Sequence, residues 1–383
     1  MAGFRTEDPT TGEIVRTWDA MSEEQVEDAL AAAQDAFTTW RSTDPVRRAE
    51  VLRRTADLLA QHADELADIA AEEMGKPLAQ GVGEAQLCSQ IFRYYADNAQ
   101  QLLADDALPA HGANSTRVEK EPLGVLLGVM PWNYPYYQVA RFAAPNLLLG
   151  NVILLKHAPQ CPRSAKVIEE IYHAAGVPKD VYQNLYATNE QIAMLVDDPR
   201  VQGVSLTGSE RAGSAVGERA GRNLKKAVLE LGGSDPFIVL PDADIDKAVE
   251  DGILGRFENS GQACNAAKRF IVIGDEAYDS FVSRFSEAVE ALVMGDPADE
   301  KTDVGPLVNE DAAQGIQSQI DDGIGGGSRV HHLARHADAG GDAGRKAAAL
   351  HRPAQPRVAQ LPDQEAEQAA AQGVTAVVRS EEY

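Results

Sequence analysis

Two stretches carry residue types that can do covalent chemistry. Cys264 sits in F-E-N-S-G-Q-A-C-N (257–265), a small polar turn containing Gly261, just ahead of the apolar run Phe270–Ile273. A thiol on a turn at the end of an element is open to substrate, whereas a structural cysteine usually has apolar neighbours. Taken alone, Cys264 reads as an ordinary surface thiol. Upstream, Glu230 lies in V-L-E-L-G-G (228–233), an apolar strand running into a glycine pair. A carboxylate there is solvated, caps a neighbouring turn, or works as an acid–base group. Thiol and carboxylate together suit acyl chemistry. A thiolate can add to a carbonyl carbon and hold the acyl group as a thioester, and a carboxylate can take a proton from the water that then displaces the thiolate.

Further residues fit the same scheme. Asn133, in P-W-N-Y-P (131–135), follows a strand and precedes a helix, so its amide can point into a cleft. With the Cys264 backbone N–H it makes a two-donor oxyanion hole, each donor worth roughly 3 kcal/mol of barrier. The alternative for Asn133 is a turn residue ahead of Pro135. No G-x-G-x-x-G is present, but Gly208–Gly213 reads G-S-E-R-A-G and opens a helix after the strand ending at Leu206. Backbone N–H groups at such a start hold a pyrophosphate; a plain turn is the alternative. Arg141 follows Asn133 by eight residues, about two helical turns, so both can face one tunnel; the alternative is a helix-face salt bridge. A cysteine hydrolase would need a histidine partner. None lies near Cys264 or Asn133 in sequence, and His157 is offset at a strand end.

E-L-G-G (230–233), N-x-G-Q-x-C (259–264), P-W-N-Y-P, L-L-K (154–156) and T-G-S (207–209), over residues 1 to about 320, together resemble the aldehyde dehydrogenase superfamily. L-L-K-H-A-P (154–159) and E-L-G-G-S-D-P-F-I-V-L (230–240) look closest to its succinate-semialdehyde branch. The resemblance implies Cys264 as nucleophile, Glu230 as general base and Asn133 as oxyanion donor. It implies NAD or NADP held by Trp132, Lys156, Thr207, Gly208, Ser209, Gly213 and Leu231, and Arg141 gripping a substrate carboxylate. No metal is expected. Three departures matter. Glu258 stands where many members of that branch carry a second arginine, and Pro159 stands where many NAD-preferring members carry glutamate, which leaves NADP open. The family's E-x-F-G-P segment, which holds the nicotinamide ribose, has no counterpart after Gly305-Pro306. A catalytically defective homologue that binds nucleotide without turnover is therefore the alternative function.

The elements that must position these residues are legible from periodicity. Residues 1–20 read as a polar lead with turns at Asp8-Pro9 and Thr10-Thr11-Gly12. Ser22 with Gln25 predicts a capping box, and Asp44-Pro45 a second helix start. That second helix breaks near His62 and stops at Gly75-Lys76-Pro77. A third helix is expected over Glu84–Leu103, with Leu87, Ile91, Tyr94 and Tyr95 facing the core and Cys88 packing. Short apolar strands then alternate with helical patterns: 123–130, 151–156, 181–185, 201–206 and 226–229. Such alternation predicts an α/β fold with a parallel, Rossmann-like sheet. The expected domains are a cofactor-binding domain over 1–114 and 123–233, an oligomerisation strand over 115–122 within a small hairpin, and a catalytic domain over 234–323.

Residues 324–383 differ in kind. Seven Lys/Arg balance seven Asp/Glu there, so the first 323 residues carry the whole net charge of −24. Four of the eight histidines fall in this tail (His331, His332, His336, His351), without cysteine and without ligand spacing. An aberrant, disordered tail without strands is the expectation, as after a reading-frame shift. The acidic balance argues against nucleic acid and suits a soluble protein in concentrated salt. Three unpaired-looking cysteines, no signal segment and no long apolar run point to the cytoplasm. The partners expected are a small aldehyde and copies of the chain itself.

Overall fold

The computed structural model describes residues 3–110, 112, 115–326 and 376–380. The chain forms two compact units. The first comprises residues 1–6, 14–73 and 81–231; the second comprises 7–13, 74–80 and 232–383.

The chain opens with two strands, β1 (Phe4–Glu7) and β2 (Ile14–Trp18), which pair with each other. A polar lead was expected here. The alternation that decides it is short: Phe4 and Thr6 point inward, Phe4 against Tyr186 and Thr6 onto the buried Glu73 carboxylate. Five helices follow: α1 (Glu23–Trp40), α2 (Pro45–Gln61), α3 (Ala63–Met74), α4 (Leu78–Asp97) and α5 (Ala99–Leu103). The Ser22–Gln25 capping box forms, and Asp44 caps α2 with Pro45 in its first turn. On α4 the core face is Ala85, Cys88, Phe92 and Ala96, with the expected Ile91 and Tyr95 partly buried against it. Leu87 and Tyr94 are exposed, because the face one residue round is the continuous apolar stripe.

Next come β3 (Asp106–Leu108) and β4 (Thr116–Val118), an exposed antiparallel ribbon. The chain then alternates: β5 (Val125–Val129), α6 (Tyr137–Leu149), β6 (Val152–Lys156), α7 (Pro162–Ala175), β7 (Tyr182–Asn184), α8 (Asn189–Asp197), β8 (Val201–Thr207), α9 (Glu210–Arg222) and β9 (Lys226–Glu230). The five strands are all parallel, in the order β7-β6-β5-β8-β9. The near-continuous Val/Ile/Leu runs of β5 and β6 are buried because helices cover both faces of such a sheet. Edge strand β9 is exposed along its length. The last turn of α6 is completed from outside: Arg48 donates to Leu148 O at 2.7 Å and the Trp40 indole to Leu147 O at 3.2 Å.

In the second unit, β10 (Asp235–Val239), α10 (Ile245–Phe257), β11 (Ala267–Ile273), α11 (Asp275–Glu290), α12 (Glu310–Gly325) and β12 (Ala376–Ser380) follow. A short 3-10 turn spans Glu258–Gly261. The parallel sheet β10-β11-β12 backs onto a cluster in which Phe270, Phe281 and Phe285 stack within 5.7 Å of one another. Strand β12 corrects the expectation of a strandless tail. A-V-V-R-S pairs with 269–273, a local signal hidden by averaging composition over sixty residues. The disorder, frame-shift and histidine-metal readings otherwise fall outside the described residues. No described helix is long and apolar enough to cross a membrane.

Candidate active site

The sheet of the first unit reverses direction between β5 and β8. β6 and β7 extend to one side of β5, while β8 and β9 extend to the other. Ligands of open parallel sheets gather at the carboxyl ends of the strands beside such a switch point. The expected residues of this unit end up there. Asn133 follows β5, Lys156 ends β6, Thr207 ends β8 and Glu230 ends β9. Thr207 lies opposite Glu230 in register, and the Gly208 N–H donates to Glu230 O at 3.0 Å.

The loop carrying Asn133 is fixed by groups that the sequence reading overlooked. Glu84 on α4, buried, accepts from the N–H groups of Tyr136 and Tyr137, both at 2.8 Å. These are donors at the start of α6, where a carboxylate is favoured. His157 supplies the other hold. Its Nε2 lies 2.9 Å from Pro135 O, and its Nδ1 accepts from Ala158 N–H at 2.8 Å, which sets the neutral tautomer with Nε2–H donating. Burial lowers its pKa to about 4. Cys161 Sγ lies 3.8 Å from Trp132 O.

Arg141 and Glu230 form an ion pair at 3.3 Å. The Arg141 guanidinium lies 5.7 Å from the Tyr137 ring centroid. Burial opposes its charge, but hydrogen bonds with Tyr137 and Glu230 outweigh that and raise its pKa. Arg141 lines two cavities. One, of about 370 Å³, is shared with Glu230, Thr207, Phe142 and Met130. The other, about 480 Å³, is lined by Leu87, Gln90, Ile91, Tyr94, Tyr95 and Tyr137. Leu87 and Tyr94, expected in the core, therefore line a cavity instead, beside Ile91 and Tyr95, which also pack against the core.

The residues expected to hold a dinucleotide have the chemistry for it. Lys156 is buried, its charge is disfavoured by burial, and its ammonium makes no hydrogen bond or ion pair among the described residues. A buried cation of that kind suits an anionic ligand. Ser209 caps α9, accepting from Ala212 N–H at 3.3 Å, so the following helix start offers N–H groups to a phosphate. Leu231 packs directly on the first turn of α9: a Cβ on Gly213 would meet Leu231 Cδ2 at 2.5 Å, and the end of that side chain would have to move.

Cys264 belongs to the second unit, where it is exposed. Asn259 and Ser260 hold left-handed φ values of 54° and 55°, and Gly261 one of 74°. Gly261 adopts that region freely, but two non-glycine residues in a row there cost free energy unless their surroundings fix them. Here Gln80 Oε1 accepts from Asn259 N–H at 2.6 Å, and Ser260 Oγ accepts from Gly305 N–H at 2.9 Å. Gln262 Oε1 accepts from Val308 N–H at 3.0 Å. Gly305-Pro306 thus brackets the nucleophile turn. Glu258, where a second arginine was looked for, is exposed.

A parallel sheet with its switch point beside Asn133 and Gly208 describes a dinucleotide-dependent enzyme. The pattern of the Aldehyde dehydrogenase family matches residues 2–349, and the chain belongs to that family. It is similar to the succinate-semialdehyde dehydrogenase [NADP(+)] of Deinococcus radiodurans, 47% identical over 327 residues, or 85% of this chain and 68% of the relative. It is also similar to succinate-semialdehyde dehydrogenase [NADP(+)] 1 of Mycobacterium tuberculosis, 46% identical over 85% of this chain and 71% of that protein. Among solved structures, succinic semialdehyde dehydrogenase from Streptococcus pyogenes in complex with NADP+ superposes with a TM-score of 0.85. It is 38% identical, covering 88% of this chain and 73% of that one.

Proposed function

We propose that the chain oxidises succinate semialdehyde to succinate with NADP+, through a thioester on Cys264. The observation that carries the substrate is Arg141, a cation bordering both cavities of the first unit and paired with Glu230. The relatives' names supply the same aldehyde and the same cofactor. Lys156, Ser209, Gly208, Gly213, Trp132, Thr207 and Leu231 are the residues assigned to the dinucleotide, which supplies the hydride acceptor when bound.

The chain's own groups do the rest. The Cys264 thiolate adds to the aldehyde carbon, and the Asn133 amide and the Cys264 N–H donate to the oxyanion. After the carbon has lost its hydride, Glu230 takes a proton from water, which attacks the thioester and releases the acid. The Arg141–Glu230 pair is half-exposed, with side chains 32% and 51% accessible, so it contributes at most about 1 kcal/mol. A substrate carboxylate can take Arg141 over at small cost, leaving Glu230 free to act. Replacing Arg141 by Gln should raise KM for succinate semialdehyde on the order of tenfold to a hundredfold, the loss of a charged hydrogen bond, while butanal is unaffected. Equal effects on both aldehydes would remove Arg141 from substrate binding.

The first unit is assigned to cofactor binding and residues 234–323 to catalysis. Three free thiols fit a reducing, cytoplasmic setting, and the net charge of −24 fits concentrated salt. The ribbon β3–β4, with Leu108 and Val118 exposed, is assigned to pairing between copies of the chain. Light scattering showing a monomer, or activity falling steadily as potassium chloride is added, would contradict the last two assignments.

A further inference from the structure

Strand β11 presents a lysine that the scheme above does not use. Lys268 is 9% exposed, and its ammonium donates to the carbonyl oxygens of Gly233 and of Cys264, the latter at 3.1 Å. No carboxylate pairs with it within ion-pair distance among the described residues. Gly233 is shaped for this junction: a Cβ there would stand 3.3 Å from the Cys264 carbonyl oxygen. The two signature stretches, one ending at Gly233 and one at Cys264, are thus tied by a single side chain. The neighbour on the next residue does a parallel job, with Arg269 Nε donating to Ser234 O at 3.0 Å.

We propose that Lys268 is a positioning residue for the nucleophile, its ammonium fixing the Cys264 backbone against Gly233. The charged groups around it are Arg256 on α10, Asp235 on β10 and Cys264 itself. Burial and then Arg256 disfavour the ammonium, while Asp235 and Cys264 favour it.

The inference rests on Cys264 being the nucleophile, and the test separates the two. In the full chain, Lys268→Met should slow alkylation of Cys264 by iodoacetamide at neutral pH on the order of tenfold. It should lower kcat to a similar degree, with KM for the aldehyde little changed, and Lys268→Arg should restore part of both. Wild-type alkylation and wild-type kcat in K268M would overturn the inference, provided that Cys264→Ser is inactive. An active C264S would instead overturn the nucleophile assignment. Should K268M not fold, acetylation of the wild type decides. Lys268, engaged on two carbonyls, should resist acetic anhydride under conditions that modify the exposed Lys179; equal modification of both would overturn the inference.

Discussion

Replacing Glu230 by Gln should divide the reaction in two. Acylation precedes the water step, so one equivalent of reduced cofactor should form rapidly and turnover should then stall. An unchanged steady-state rate would remove Glu230 as the base. His157 gives a second test at this scale, through pH. Its pKa is lowered from 6.5 to about 4 by burial, so the unfolded chain binds the extra proton first as pH falls. The stabilisation is therefore complete above pH about 6.5 and lost between there and about pH 4. Roughly 3 kcal/mol should go over that window, since each tenfold difference in proton affinity is about 1.4 kcal/mol. His157→Asn, which removes the titration, should flatten the urea-unfolding free energy there; an equally steep dependence in the variant would contradict this assignment. Cys264, Glu230 and Asn133 were singled out by the motifs around them, since each alone also reads as a surface thiol, a solvated carboxylate or a turn residue. His157 and Glu84 were not, since their work is a hydrogen bond to a backbone far away in sequence, which no local pattern records.

At the scale of elements, two positions hold the site in shape. Glu84→Ala would leave the Tyr136 and Tyr137 N–H groups without their acceptor, a loss of about 2 kcal/mol or more, and should release the Asn133 loop. A thermal melt and kcat measured together check it; full stability with full activity would show the carboxylate to be idle. Gly213→Ala should shift the Leu231 side-chain end on the first turn of α9, so NADP+ affinity should fall before overall stability does. The strands and helices of the parallel sheet were readable because apolar runs and 3.6-residue stripes repeat there. The misread elements have physical reasons. β1 and β2 are too short for their alternation to be counted. The α4 stripe was placed one residue round because Leu87 and Tyr94 are apolar for a cavity rather than for the core.

At the scale of the molecule, the family was legible from the order of its motifs, and the charge from composition alone. What sequence could not show is how a strained turn at 259–261 is held, because its restraints come from Gln80, Gly305 and Val308. One measurement tests the central reading most directly. The wild type and Cys264→Ala are mixed with NADP+ and succinate semialdehyde, NADPH is followed by fluorescence, and acid-quenched samples are digested for mass spectrometry. The expected result is NADPH from the wild type, with a succinyl group transiently on the peptide carrying Cys264, and neither from the variant. NADPH formed by C264A at the wild-type rate would contradict the thioester route.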